Sequence, residues 1–435
     1  MTSPASGMTA RLRIVARAVA AALLAVGVTL SPANAASPAS AAAAPEPSPG
    51  PVAPRGAHFT LSPVGNGVVI EGGQLTASLT VTNDTSVPVP AGTFVFEVGD
   101  TAITDRTMLE RWLAGETTGV STNPVAELPA AALEATSSAT EAVVVAADDP
   151  VLQGRDPGVY PLRARYQRPG GEVVSTSVMI VPRESGTTTP VGVFVPITAG
   201  AHTAGVLTAD ELSALTAPDG SLTEQLAAVS GTDAVLAVDP AIAASIRVLG
   251  TAAPESAVAW LLSLEALPNT RFALQYGDAD VATQVAAGVD APLQPLSLQS
   301  YLRATDSPEV TPSPEPSATE PPPDPTLPGL EALLDIGAAR SDLYWPEGSF
   351  VDQSVVESLG SPKGGPAGIT IVPSSAVGTG TGARVAVGGT GAAALAYDTA
   401  VSTALSAAAA TDENVLRGHH LAAATALLEL VTRGA

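Results

Sequence analysis

Two short runs limit what this chain can fold into. Residues 234–240 (AVLAVDP) and 271–280 (RFALQYGDAD) are each an apolar stretch of strand length that ends in a carboxylate and leads into a helical pattern. That succession is the punctuation of a β/α repeat. In parallel β/α folds ligands collect at the carboxyl ends of the strands. Any site in this half of the chain is therefore expected beside Asp239, Asp278 and Asp280.

The repeat extends over 190–435. Strands are predicted at 191–197, 234–238 and 271–276, with helices at 207–215, 222–229 (Ser221 as cap), 255–267 and 279–287. Further strands at 343–345, 368–372 and 384–387 alternate with helices at 330–336, 351–359, 395–408 and 412–431. Alternation of this kind implies a parallel sheet covered by helices. The expected domain is β/α-barrel-like and incomplete, short of the seven or eight strands of a closed barrel. Residues 306–328 interrupt it with nine prolines, five acids and no base, the composition of a disordered, partly polyproline-like insertion.

Upstream the rhythm is different. Over 74–83 (QLTASLTVTN) apolar and polar residues alternate, placing Leu75, Ala77, Leu79 and Val81 on one face. Further strands are predicted at 93–98, 141–146, 159–166 and 173–181, with Gly170 and Gly171 turning the last pair into a hairpin. Short strands with turn signals predict an immunoglobulin-like β-sandwich over 57–183. A helical insert at 105–114 carries Met108, Leu109, Trp112 and Leu113 at helical spacing, and Trp112 is its expected anchor on the sandwich. A Thr-Pro hinge at 187–190 separates the two rhythms.

The N-terminus carries Arg11, Arg13 and Arg17, an apolar run over 18–30 and the small-residue site Ala33-Asn34-Ala35, which together predict a secretory signal over 1–35. An Ala/Pro/Ser linker over 36–56 follows, too poor in large apolar residues to order itself. The formal net charge is −23, and loss of the three signal arginines takes it to −26. A surface this acidic repels nucleic acid and anionic membranes. The absence of cysteine removes disulfides, thiolate metal sites and lipid attachment at a lipobox. No stretch after the signal is long and apolar enough to span a membrane.

Asp239, Asp278, Asp280 and Glu347 fall just past predicted strand ends, with Tyr276 and Trp345 beside them. Two carboxylates across a sugar, with rings to stack on it, suit glycoside hydrolysis. Capping is the favoured reading for two of them. Asp239 stands before Pro240 as an N-cap does before proline at N1, and Asp278 precedes the helix predicted from 279. Glu347 lies in a Pro-Glu-Gly turn, and Trp345 fits a core as well as a platform. Metal-dependent deacetylation is disfavoured. The histidines are His58, His202, His419 and His420, and the adjacent pair on a helix point about 100° apart. The run 385–394 (VAVGGTGAAA) holds a G-x-G-x-x-A spacing between a predicted strand and helix, a weak signal that is read as a Gly/Ala-rich connection and not a nucleotide loop. No cofactor or metal is expected.

Several runs in order resemble the DUF6049 family of exported actinobacterial proteins of unknown function. They are LTVTNDT at 79–85, PAGTF at 90–94, TDRTMLERWLA at 104–114, LTADEL at 207–212, LAVDP at 236–240, ALQYGDAD at 273–280 and WPEG at 345–348. The resemblance implies a cell-envelope protein, often encoded near peptidoglycan-precursor transport genes, whose longer members carry a further domain and a C-terminal transmembrane helix that this chain lacks. It supplies no catalytic residues. The α/β part also looks like the barrel of polysaccharide deacetylases and some glycoside hydrolases. Two functions stay open: a non-catalytic envelope protein that scaffolds or binds a cell-wall polymer or a membrane protein, and a carbohydrate-active hydrolase using the strand-end carboxylates.

Overall fold

Alternating burial organises the first half of the molecule. The computed structural model describes residues 57–183, 191–200, 204–303, 327–340, 342–347, 351–361, 367–377, 384–387 (backbone only) and 392–433. The predicted signal, the linker, the hinge at 187–190, His202 and nearly all of the Pro-rich insertion lie outside the described residues. β1 (Ala57–Pro63), β2 (Leu75–Asn83), β3 (Gly92–Val98), the helix α1 (Arg106–Leu113), β4 (Asn123–Ala130), β5 (Ser137–Val145), β6 (Gly158–Arg168) and β7 (Gly171–Val181) follow in order. They pair antiparallel into two sheets, β1-β2-β5 and β4-β3-β6-β7. The sheets share one core, in which Leu75, Ala77, Leu79 and Val81 meet Phe94, Phe96, Leu162 and Tyr166. Phe59 stacks on Phe94 at 5.3 Å between centroids, with Tyr166 tilted against both.

β4 has the sequence NPVAELPA, and its two prolines fit only because it is an edge strand. Trp112 is fully buried, and its indole N–H donates to Ser177 O at 2.7 Å, fastening α1 to β7. A buried carboxylate, Glu97, sits in β3 between Arg163 and Arg165 of the neighbouring β6.

The second half is built of β8 (Phe194–Ile197), α2 (Ala209–Leu215), α3 (Ser221–Val229), β9 (Val235–Val238), α4 (Pro240–Leu249), α5 (Glu255–Ala266), β10 (Arg271–Ala273) and α6 (Val281–Ala286). Then come α7 (Leu330–Leu334), β11 (Leu343–Tyr344), α8 (Gln353–Gly360), β12 (Ile369–Pro373), α9 (Ser374–Val377), β13 (Arg384–Val387), β14 (Ala392–Tyr397), α10 (Thr399–Ala409) and α11 (Asn414–Arg433). β9 shows the two-sided burial of an internal parallel strand. Leu236 and Val238 face the helices with Leu212, Leu226, Trp260 and Leu264, while Val235 and Ala237 face Phe194, Phe272 and Trp345.

The expected fold class, a sandwich followed by a β/α-barrel-like domain, is overturned. Among the described residues the chain is mixed α/β with four small sheets and no closed barrel. β10-β9-β8 is a three-stranded parallel sheet, and β11-β12-β14-β13 is a four-stranded mixed one. One isolated bridge, Phe272 to Arg340, links them among the described residues. The reason lies at 384–397. Val387 pairs with Ala392 and Arg384 with Leu395, so β13 runs antiparallel to β14 and ends the parallel succession. The segment predicted as a helix from 395 is strand up to Tyr397, with Ala392, Ala394 and Ala396 buried on alternate positions. Of the G-x-G-x-x-A run, 389–391 lie outside the described residues, and Ala392, Ala393 and Ala394 belong to the strand β14, not to a helix. The likeness to the hydrolase and deacetylase barrel falls with the barrel.

α11 does not extend the α/β core. It returns to the sandwich, where Ala422, Ala426 and Leu427 pack with Val159, Val178 and Ile180. Gly418 lets the helix approach closely, because a Cβ there would stand 3.0 Å from Pro63 O. His419 Nδ1 lies 3.1 Å from Leu61 O, and Ser175 Oγ accepts from Leu61 N at 2.9 Å. Both backbone groups of Leu61, on the outer strand β1, are thereby satisfied.

Candidate functional site

The strand ends do carry the residues predicted there, but they hold them for different purposes. Asp239 follows β9 and is fully buried. Its Oδ1 accepts from Ala241 N at 2.9 Å, as the N-cap of α4 with Pro240 in the first turn. The same oxygen accepts from Gly277 N, also at 2.9 Å, in the turn after β10. One carboxylate thus caps its own helix and ties down the neighbouring loop.

Asp280 repeats the arrangement one strand further on. It caps α6 by accepting from Ala282 N (3.2 Å), Thr283 N (2.8 Å) and the Thr283 hydroxyl (2.6 Å), and Oδ1 also accepts from Glu347 N at 3.0 Å, beyond β11. Burial works to raise its pKa, but the bonds from Thr283, Glu347 and Ala282 outweigh it and hold the carboxyl below the usual range.

Asp278 is not the cap predicted for it. It is exposed, in a left-handed conformation (φ 52°) that closes the turn Tyr276–Asp278, and the helix starts two residues later than the sequence suggests. Glu347 is exposed, and its backbone N–H joins the cluster by donating to Asp280 Oδ1. Tyr276 is half-buried against Ala244, Val248, Leu298 and Leu333, and its hydroxyl donates to Gly205 O at 2.5 Å. Burial, with Asp239 and Tyr301 nearby, pushes its pKa up to about 12. Trp345 packs edge-on between Phe194 (6.2 Å) and Tyr397 (6.3 Å), as part of an aromatic cluster under the sheet.

A third strand-end carboxylate escaped the sequence reading. Asp398 follows β14, caps α10 through Val401 N (3.0 Å), and takes both ends of the Arg106 guanidinium at 2.6 Å. Burial opposes ionisation, but Arg106 prevails and keeps the carboxyl below its ordinary range. The pair binds α1 to α10 across almost three hundred residues of sequence. Its signal is the same strand–Asp–helix order seen at Asp239, hidden because the sequence predicts helix from 395 onward and so places Asp398 inside it. Among the described residues, no group of three or more His, Asp or Glu side chains is placed to hold a metal ion. No helix among them is long and apolar enough to cross a membrane.

No curated protein matches the chain. Among solved structures, a β-glucosidase from Listeria innocua in complex with gluconolactone is 13% identical, over 29% of this chain and 16% of its own. The CARDB domain of a Pyrococcus furiosus protein in complex with di-metal ions is 13% identical, over 31% of this chain and 100% of its own. The sporulation control protein Spo0M from Bacillus subtilis is 6% identical, over 30% and 50%. The TM-score is 0.20 for each, and at that value none informs the chemistry of this chain. The match spans about a sixth of the β-glucosidase. A different comparison covers nearly the whole sequence: residues 12–428 match the pattern of a family described as "Family of unknown function (DUF6049)", and the chain belongs to that family.

Proposed function

We propose that this is an exported protein of the cell envelope that works without catalysis, as a scaffold or binding body for a cell-wall polymer or a membrane protein. The observation that carries the reading is the engagement of Asp239 and Asp280. Each accepts hydrogen bonds from its own helix N-terminus and from the next strand's loop, so each already has the partners a catalytic carboxylate would keep for substrate. The signal-like N-terminus and the acidic composition support export and a soluble body outside the membrane. The hydrolase alternative has lost the two carboxylates it most needed.

The test uses the purified chain from Ala36 onward, mixed with isolated actinobacterial cell wall and, separately, with washed membranes. Retention on either fraction, with no release of reducing sugar from the wall, is the expected result. An Asp239→Asn/Asp280→Asn variant that stays folded by circular dichroism is expected to bind as the parent does. Absence of binding to both fractions, or sugar release that the variant abolishes, would overturn the reading.

A further inference from the structure

A cleft of about 670 Å³ opens between the turn 69–73, the loop after β5 and the end of β7. It lies on the sandwich, apart from the strand ends, and does not rest on the function proposed above. Its volume falls in the range of small-molecule sites, about 300–1,000 Å³. Val69, Leu152, Met179 and Val181 give it an apolar lining, and Met179 is fully buried.

Two cations share the lining, Arg155 and Arg183, in a chain with more than twice as many acids as bases. Arg155 is fixed by donating to Gly99 O (2.7 Å) and Val151 O and by stacking 4.4 Å over Tyr160. Those partners are carbonyls and a ring. Among the described residues no carboxylate comes within ion-pairing distance of it, and burial lowers its pKa. Asp100 acts on it only from beyond ion-pairing distance, so this half-buried guanidinium, held in place without an ion pair, favours an incoming anion. Arg183 is half exposed, and its contact with Glu429 is a loose 3.5 Å, so it can turn toward a ligand. Glu71 also lines the cleft and disfavours a second negative charge on the ligand.

We propose that this cleft binds a small organic carboxylate with an aliphatic body, the carboxylate on Arg155 and Arg183 and the body over Val69, Leu152 and Val181, with Met179 directly beneath them. The chain has four methionines, at positions 1, 8, 108 and 179. Met179 lines the cleft and Met108 packs in the separate core around Trp112, so methyl-labelled methionine gives a reporter and a control in one spectrum.

The experiment titrates the full chain with N-acetyl-leucine, its uncharged amide, hexanoate and inorganic phosphate, reading both methyl signals. The expected result is a saturable Met179 shift with N-acetyl-leucine and hexanoate, at least tenfold weaker with the amide and with phosphate, while Met108 stays still. If hexanoate alone acts, the ligand is a simple fatty acid. If N-acetyl-leucine alone acts, it is an acylated amino acid or a peptide end. Arg183→Gln should weaken binding at least threefold, and Ala147→Trp, which fills the cleft from its edge, should abolish it with Met108 unchanged. A Met179 signal that ignores both acids overturns the site. Equal response to acid and amide reduces it to an apolar hole, and equal response to phosphate to a general anion patch; either result sinks the carboxylate assignment.

Discussion

In the sandwich, the buried carboxylate of Glu97 is matched by charge: Arg163 and Arg165 approach it at 2.5 and 2.7 Å, and Thr122 donates to it at 2.6 Å. In the α/β region, the equally buried Asp239 receives backbone N–H groups from Ala241 and Gly277. Sheet geometry accounts for the difference. Antiparallel neighbours put Arg163 directly across from Glu97 in the β3–β6 register, and side chains meet there. A parallel strand runs straight into a helix, whose first N–H groups lack partners and accept any oxygen offered to them. The sandwich therefore solves its burial problem with side-chain pairs, and the α/β region solves it with caps.

The contrast makes a sharp prediction about conservative substitutions. Glu97→Gln keeps the shape and loses the charge, leaving two arginines facing each other. It should cost about 2–4 kcal/mol, below the full penalty of a broken buried pair because both arginines reach solvent. Asp239→Asn also loses the charge but keeps the cap acceptor, and should cost less than about 1 kcal/mol. Asp239→Ala, which abandons two N–H groups in a buried place, should cost about 2 kcal/mol. Urea midpoints of the three variants decide the matter. If Asn at 239 were as damaging as Gln at 97, charge would govern both regions and the distinction would collapse.

Asp280 sharpens the same idea at a shallower site. Asp280→Ala removes a cap and the tie to Glu347 and should cost about 1 kcal/mol. Asp278→Asn, in the turn before it, should shift the midpoint less, because Asn tolerates the left-handed backbone that Asp278 adopts. A larger effect at 278 than at 280 would mean that the helix starts where the sequence suggested.

The legible parts of this molecule are those fixed by neighbours in sequence. The alternation at 74–83 predicts β2, the paired glycines at 170 and 171 predict the turn between β6 and β7, and Asp239-Pro240 predicts a helix start. Trp112 at helical spacing predicts the anchor of α1. What stayed hidden depends on distant partners. Whether 392–397 is strand or helix is settled by β12 and β13 on either side, since alanine supports both. The barrel failed for the same reason: closure depends on the direction of β13, which no local pattern records. The two prolines of β4 argue against a strand until its edge position is known. Nor does an amphipathic pattern at 414–433 say which half of the chain the helix will cover.

That returning helix gives the last and smallest test. His419 and His420 lie with ring centroids 5.2 Å apart where α11 meets the sandwich. Burial lowers both pKa values below the ordinary histidine range. For His419 the bond to Leu61 O opposes the shift without cancelling it, and for His420 the neighbouring ring adds to it. A base with a depressed folded pKa binds more protons when unfolded, so stability is lost as pH falls through the unfolded value, about 6.5. Glu97, Asp280 and Asp398 also have depressed pKa values, but as acids they titrate lower. Their contribution is present above the unfolded value of about 4 and lost as pH falls through their folded ones. Two separate descents are expected in a plot of melting temperature against pH, the first beginning near pH 6.5 and amounting to on the order of 1 kcal/mol, or about 2–4 °C. A His419→Gln/His420→Gln variant should flatten the first and leave the second. Arg106→Gln should shrink the second, because Asp398 then loses the cation that depresses it. A first descent that survives loss of both histidines would mean that the seam between α11 and the sandwich does not sense pH, and that the acidic caps and pairs carry the whole dependence.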